Sequence, residues 1–460
     1  MFFGADILAA GRSATVLRFY APTIFIFGFL GVLRGYFQAH RTLIPTSISQ
    51  LLEQIFNAIV SVGAALILTN LAGNEDPSKR AMYGAIGSAM GTGAGVIAAL
   101  IFMFGVYRYN RGTIKRRIES DNSELMPDRE IFKLIVMIVT PFILSTAVYN
   151  VSTFLNSTLF SRILMHVRHL DESAVASMYG IFNRKAMAIT NLPIAFASAA
   201  AAAMIPEIST HFAKGDKEEA KETVTRVTKV ILMIAIPCAA GLLFLAKPVI
   251  MILFPQRASL DEAALLLRVL SVTVVFYSLS TVSNAVLQGI GKVNIPVVNA
   301  AIALVAQTAT LSVLLIYTNI TDVALCLVTI IYSLLMCLLN SASLKKHIKT
   351  STDYKKTYAL PIISSLIMGA GAYLLYVLVS LSAFGIGRGV GSVDAELSFF
   401  DYMYSNYFVN LIGALIAVIA AVFIYFAVLI KSGGATEAEI KRIPKGASIA
   451  ALLKKIKLLS

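Results

Sequence analysis

Two adjacent cations, Arg184 and Lys185, stand about ten residues into an apolar run at 174–209. A charge at membrane depth is costly, so such residues demand water, acceptors or an anionic ligand. A guanidinium presents a planar fork that matches phosphate oxygens, which makes Arg184 the stronger candidate for an oxyanion. The competing reading starts the span near Ala186 and lets both side chains reach the outer surface. Glu53, flanked by Gln50 and Gln54, is the clearest carboxylate inside an apolar run. It can pair with a basic group, hold a coupling cation, or lie at the mouth of its helix, since Pro45 is close by. Arg34 sits one turn from the end of its run, with Gln38 one turn further on. It reads as a positive-inside anchor or as a phosphate contact. Asn150, Asn156 and Asn183 are suited to bridging helices by hydrogen bonds or to lining a path. Pro193, in the stretch Asn191-Leu192-Pro193, and Pro206 free backbone carbonyls and permit a helix to bend. Between them the small residues of 195–203 allow another helix to approach closely.

Catalytic patterns are absent from the sequence. Gly289-Ile290-Gly291-Lys292 is too short for a phosphate-binding Walker loop, and neither a GxSxG nor an HExxH pattern occurs. His166 and His169 flank Arg168 in a short loop, a spacing too weak to indicate a metal, so no metal site is expected. Cys238, Cys326 and Cys337 all lie in apolar runs and read as small core residues. No cofactor is expected; coupling to a monovalent cation is the one ion requirement left open.

The elements that must position these residues are long helices. The chain of 460 residues is 57% hydrophobic and 14% charged, with a mean hydropathy of +0.78. That composition excludes an ordinary soluble domain. A bilayer crossing needs about 20 apolar residues, and eleven runs meet that length: 15–38, 44–70, 81–107, 131–160, 174–209, 224–254, 263–289, 293–317, 321–343, 357–381 and 403–430. Backbone groups in lipid must be satisfied locally, so the expected fold is an all-α polytopic membrane protein.

The net charge of +14 follows the same plan. With loops placed alternately, one side carries 27 of the 39 Lys and Arg residues, the other 10, and Arg184 and Lys185 fall within a span. The positive-inside rule then puts the segment 108–133 and the C-terminus in the cytoplasm. The basic excess is topology rather than a nucleic-acid footprint, and no nucleic-acid partner is expected. The tail gives Ile449, Leu452, Leu453 and Ile456 one helical stripe with Lys454, Lys455 and Lys457 outside it. It suits a helix on anionic membrane lipids, or equally a solvated tail.

Residues Arg18–Gln38 and Arg268–Gln288 resemble two copies of one element at an offset of about 250 residues, the mark of a duplicated transporter. The second copy has about 137 residues of its half before it, counted from Ile131, and the first has 17. About three helices are therefore expected ahead of Met1, with the stub 1–10 as the end of another helix. The expected organisation is a truncated N-lobe at 1–108, a cytoplasmic linker at 109–130, a C-lobe at 131–347, an additional helix pair at 354–431 and a basic cytoplasmic tail at 432–460.

Several short segments carry a family resemblance. Arg34-Gly35-Tyr36-Phe37-Gln38, followed by Pro45-Thr46-Ser47-Ile48-Ser49-Gln50, resembles the fourth and fifth helices of MurJ-type lipid II flippases. Tyr179-Gly180-Ile181-Phe182-Asn183-Arg184, Asn191-Leu192-Pro193-Ile194-Ala195 and Met204-Ile205-Pro206-Glu207-Ile208-Ser209 resemble their eighth helix. The likeness leans to the polysaccharide-biosynthesis and sporulation-protein-B-like branch. It implies the exporter fold of the multidrug/oligosaccharidyl-lipid/polysaccharide superfamily: fourteen helices in two lobes, of which about 11 are present here, with the last pair lining a groove for a polyprenyl tail. It also implies a polyprenyl-linked glycan lipid as cargo and the cell-wall synthesis machinery as partner. Arg184 takes the basic position of the eighth helix, whereas Asn156 stands where many members carry an acidic residue. The expectation is a plasma-membrane flippase, not an enzyme, for an undecaprenyl-pyrophosphate-linked precursor. Its substrate contacts would be Arg184, Lys185, Arg34, Gln38 and Asn183, and its coupling or gating residues Glu53, Asn150, Asn156 and Pro193. The rival within transport is a cation-coupled multidrug exporter. Rivals of other kinds are a membrane glycosyltransferase or ligase, for which the loop 382–402 offers Asp394, Glu396 and Asp401, and a non-transporting scaffold.

Overall fold

A computed structural model describes residues 7–40, 42, 44–71, 73, 77–120, 126–348, 354–389 and 398–434. Among these residues the only regular elements are helices. The chain divides into two compact units, Met1–Pro127 and Asp128–Ser460. Among the described residues eight helices are long and apolar enough to cross a bilayer, or nine if a bent pair at Arg257–Leu270 and Thr273–Gly289 counts as one span. Their outward faces carry large apolar side chains such as Ile24, Phe25, Val305 and Phe408 in the open. A soluble protein rarely exposes such continuous apolar surface, and hydrocarbon is the solvent that tolerates it.

The first unit contains α1 (Ile7–Ala39), α2 (Ile44–Leu71) and α3 (Pro77–Glu119). The small residues of α3 explain how α2 and α3 pack. Gly84, Gly87, Gly91 and Gly95 recur at three- and four-residue spacing and form one ridge. A Cβ at Gly95 would lie 2.5 Å from the Glu53 carbonyl oxygen, and Cβ atoms at Gly87 and Gly91 would strike the backbone of Ala65 and Ser61. Leu30 and Phe37 of α1 close the other side against Val96, Ala99 and Met103 of α3.

Two expectations change here. Residues 7–10 are not the end of a separate helix: α1 runs unbroken from Ile7 through Gly11-Arg12-Ser13 to Ala39. The helix α3 continues to Glu119, so residues 109–119 of the expected linker are helical.

The second unit contains α4 (Asp128–His166), α5 (Glu172–Gly180), a π-helical turn (Ile181–Met187), α6 (Ala188–Ala213), α7 (Lys217–Phe244) and α8 (Ala246–Leu253). It continues with α9 (Leu260–Leu270), α10 (Thr273–Gly289), α11 (Asn294–Tyr317) and α12 (Asp322–His347). A second π-helical turn (Lys355–Ala359) then leads into α13 (Leu360–Gly389), α14 (Phe399–Ser405) and α15 (Tyr407–Lys431). The small face of α6 is used as its composition suggests. Ala197 and Ala201 are buried with Val282, Ala285 and Val286 of α10, and the Ser209 hydroxyl donates to the Gly289 carbonyl at 2.8 Å. The pair α13 and α15 joins α7 around a buried polar set. Tyr376 donates to Asn410 at 2.6 Å, Asn410 donates to the Pro248 carbonyl at 3.1 Å, and Tyr425 donates to the Met233 carbonyl at 3.0 Å.

Several runs that read as single spans are broken. The run 263–289 bends by 42° between α9 and α10. The Ser271 hydroxyl takes the Arg268 carbonyl at 2.7 Å and the Thr273 hydroxyl takes the Leu270 carbonyl at 2.6 Å. Hydroxyls that capture carbonyls in this way compete with the helical ladder and bend it. Its partner in the internal repeat, α1, stays straight enough to count as one helix. The run 224–254 breaks at Leu245, and the last run begins at Tyr407, where Asn406 caps α15 by accepting from the Val409 amide at 3.2 Å. The amphipathic stripe at 448–459 and the acids Asp394 and Glu396 lie outside the described residues.

Candidate functional site

In the first unit the expected residues form an ion pair. Arg34 on α1 donates from Nη2 to Glu53 Oε2 on α2 at 2.7 Å, with side-chain exposures of 11% and 17%. Its Nε donates to Ser49 Oγ at 2.9 Å, and the Ser49 hydroxyl donates to the Thr46 carbonyl at 2.7 Å. Ser49 is fully buried. Of the three roles open to Glu53, the structure thus shows pairing with a basic group. The pair needs the α1–α2 turn, which brings residues 19 apart together. Gln38, Gln50 and Gln54 are exposed around it.

In the second unit, Arg184 and Lys185 belong to the π-helical turn Ile181–Met187. The turn is fixed by its apolar side. Phe182 and Ala186 are buried in a core with Phe160, Ile250 and Leu266, and Tyr179 makes ring contacts with Phe160 and Phe182 at 6.0 and 6.1 Å. With that side locked inward, Arg184 is left exposed and Asn183 half-buried. Arg184 has no hydrogen bond or ion pair among the described residues. Lys185 points elsewhere: its ammonium donates to Gln256 Oε1 at 3.0 Å and to Ser259 Oγ at 2.6 Å, in the polar turn before α9. Both acceptors are neutral; Glu262, on α9, lies near enough to feel the lysine charge. The two adjacent cations therefore have different surroundings, one already engaged and one open.

Upstream of the turn, Asp171 caps α5. Its carboxylate accepts from the Ser173 amide at 3.0 Å and from the Ser173 hydroxyl. Those hydrogen bonds hold its carboxyl below the ordinary value of 3.8. Pro193 lies within α6, and the departure from α-helical geometry falls six residues before it, in the π-helical turn. Such turns widen a helix by one residue and are rare outside functional or strained places. Nothing in the composition of Ile181–Met187 announced it.

The asparagines divide as well. Asn156 is buried on α4, and its Oδ1 has no partner among the described residues. One turn earlier the Ser152 hydroxyl donates to Gln307 of α11 at 3.1 Å. Asn150 is exposed. The loop carrying His166 and His169 holds the contact that sequence reading missed. Arg168 donates to Leu315 O at 3.1 Å, Ile316 O at 3.3 Å, Thr318 O and Asn319 Oδ1 at 3.0 Å. It satisfies the carbonyls that the end of α11 leaves open, with the charge sign that the helix dipole favours there. Among the described residues there is no cluster of His, Cys, Asp and Glu able to hold a metal.

Residues 5–393 match the family described as Lipid II flippase MurJ. Among curated relatives, the chain is 24% identical over 301 residues to Lipid II flippase MurJ of Bacillus subtilis (strain 168), covering 64% of this chain and 53% of that one. It is 23% identical over 364 residues to Stage V sporulation protein B of the same organism, covering 79% and 67%. The chain thus spans about half the length of the first relative. Among solved structures it is similar to a lipid II flippase MurJ in an inward closed conformation, with a TM-score of 0.57 and 16% identity over 89% of this chain and 73% of that one. An inward-facing multidrug resistance MATE family transporter of the MOP superfamily gives a TM-score of 0.54 and 18% identity over 72% and 73%. The two structural likenesses show the fold they share, a polytopic helical transporter fold. The family match across most of the sequence, together with that fold, makes this chain a member of the MurJ lipid II flippase family.

Proposed function

We propose that this protein moves an undecaprenyl-pyrophosphate-linked cell-wall precursor, lipid II or a related polysaccharide lipid, across the bacterial plasma membrane by alternating access. The observation that carries the reading is Arg184, an exposed guanidinium without a partner among the described residues, held on a π-helical turn inside an apolar helical run. An open guanidinium there suits a pyrophosphate, because two N–H groups meet two phosphate oxygens at once. Lys185 adds long-range attraction, and Asn183 supplies a neutral hydrogen-bonding group beside it. The pairing of Glu53 with Arg34 supports the same choice. A carboxylate already neutralised by arginine is poorly placed to take a drug cation, which weighs against a cation-coupled multidrug exporter.

The test is lipid II translocation in cells depleted of their own flippase, at matched expression. The wild-type chain should restore it. Arg184→Ala should reduce the rate by about tenfold or more, the worth of a charge-assisted hydrogen bond. Arg184→Lys, which keeps the charge and loses the fork, should fall between, and Lys185→Ala should be milder. Translocation by Arg184→Ala at the wild-type rate would overturn the phosphate role, and failure of the wild type to move the lipid would overturn the function.

A further inference from the structure

A cavity of about 130 Å³ opens in the second unit, away from Arg184, where α7, α10 and the end of α12 meet the second π-helical turn. Several waters would fill it. Its polar lining includes Lys345, Ser283, Tyr354 and Tyr358, and its apolar lining Leu279 and Leu344. No carboxylate of the described residues lines it. Lys345 has no hydrogen bond or ion pair among the described residues. Ser283 is 6% exposed, and its hydroxyl likewise has no partner there. The Tyr354 and Tyr358 rings stack with centroids 5.9 Å apart and 24° between planes, and neither hydroxyl is engaged among the described residues. Thr225 and Thr228 differ, since their hydroxyls already donate to the Lys221 and Val224 carbonyls at 2.9 and 2.7 Å.

Open donors and a cation around a roomy space, with no acid among the described residues that line it, describe a receptor for an anion. An oxygen-rich, compact, negatively charged group uses all of them, and a phosphoryl group has that chemistry. From this we infer that the cavity binds one phosphoryl group, held by Lys345 and the hydroxyls of Ser283, Tyr354 and Tyr358. The source is a phospholipid headgroup or free phosphate. The surroundings point to the lipid. The helix α13 leaves the cavity with Ile362, Ile363, Leu366 and Ile367 exposed along its first turns, an apolar track on which acyl chains can lie while the headgroup sits in the cavity. The site is separate from Arg184 and does not depend on the cargo proposed above.

The experiment uses the full chain in detergent micelles, with native mass spectrometry to count retained lipid and melting curves to confirm folding. Phosphatidylglycerol should be retained and diacylglycerol, which lacks the phosphoryl group, should not. Lys345→Gln should weaken retention by about tenfold or more. Lys345→Arg should keep most of it, and Lys346→Gln should match the wild type. Leu279→Trp, which fills the cavity and leaves Lys345 in place, should abolish retention. Displacement of the lipid by millimolar inorganic phosphate would support the site and show that free phosphate also enters it. Retention unchanged in both Lys345→Gln and Leu279→Trp, or equal retention of diacylglycerol, would overturn the inference.

Discussion

At the scale of single residues, the arginines divide by what already holds them. Arg34 is paired, Arg168 is spent on carbonyls, and Arg184 is open. The Arg34–Glu53 pair is largely shielded from water, so removing one member strands the other's charge. Glu53→Gln or Arg34→Gln alone should destabilise the protein by about 2–3 kcal/mol, whereas the double change should recover much of the loss. Thermal melting of the three variants in detergent checks this, and additive losses would show that the two side chains act independently. Asp171 gives a dependence on pH. Its carboxyl titrates below the ordinary range in the folded chain, so its cap on α5 is present at neutral pH and is lost as pH falls through that lowered value. The protection of the Ser173 amide, its exchange rate measured against the intrinsic rate at the same pH, should fall on acidification. In Asp171→Asn, which caps without titrating, that loss of protection should disappear.

At the scale of elements, glycine has two opposite meanings on one helix. Gly91 of α3 faces the backbone of α2, whereas Gly105 faces open space. Gly91→Ala should destabilise by about 1–3 kcal/mol, the usual effect of overpacking. Gly105→Ala should be neutral or stabilise by about 0.5–1 kcal/mol, through lower chain entropy and better helix propensity. The same melting assay reads both, and equal effects would mean that the α2–α3 approach is looser than described. That the elements are long helices was legible from length and hydropathy, because backbone groups in hydrocarbon must be satisfied within a segment or in a closed barrel. Their number was not, since eleven runs were expected and eight or nine helices among the described residues are long and apolar enough to cross. Breaks were less legible. The bend at Ser271–Thr273 rests on hydroxyl capture of carbonyls, and Ser or Thr in an apolar run more often leaves its helix intact. The π-helical turn Ile181–Met187 depends on packing around Phe182, which no local pattern encodes.

For the whole molecule, the charge bias predicts an orientation, with the C-terminus in the cytoplasm. Cysteines placed at Lys214 and Ser432 should react with a membrane-impermeant thiol reagent only after cells are opened, and one at Ala258 should react in intact cells. Labelling in the reverse sense would overturn the cytoplasmic assignment of the C-terminus. The candidate site was legible in part for a related reason. A charged residue in an apolar run stands out in sequence, so Arg184, Lys185, Arg34 and Glu53 could be found. Their partners could not, because pairing depends on helix rotation and on turns such as α1–α2. The polar cavity around Lys345 was invisible for the same cause, since it gathers ordinary Ser, Thr and Tyr residues from four separate segments.

The grip of Arg168 on the end of α11 has a consequence for how the protein is made. Its acceptors are encoded about 150 residues after it. At about 5–20 residues per second of synthesis, the arginine waits roughly 8–30 seconds before those carbonyls exist. During that interval the loop between α4 and α5 is held only by local contacts, its own backbone hydrogen bonds and the Asp171 cap, and lacks its tie to α11. Closure comes only when α11 has been threaded into the bilayer. Arg168 is thus a latch that fastens late in biogenesis, and its loss would be felt first as slow or incomplete assembly at the ribosome.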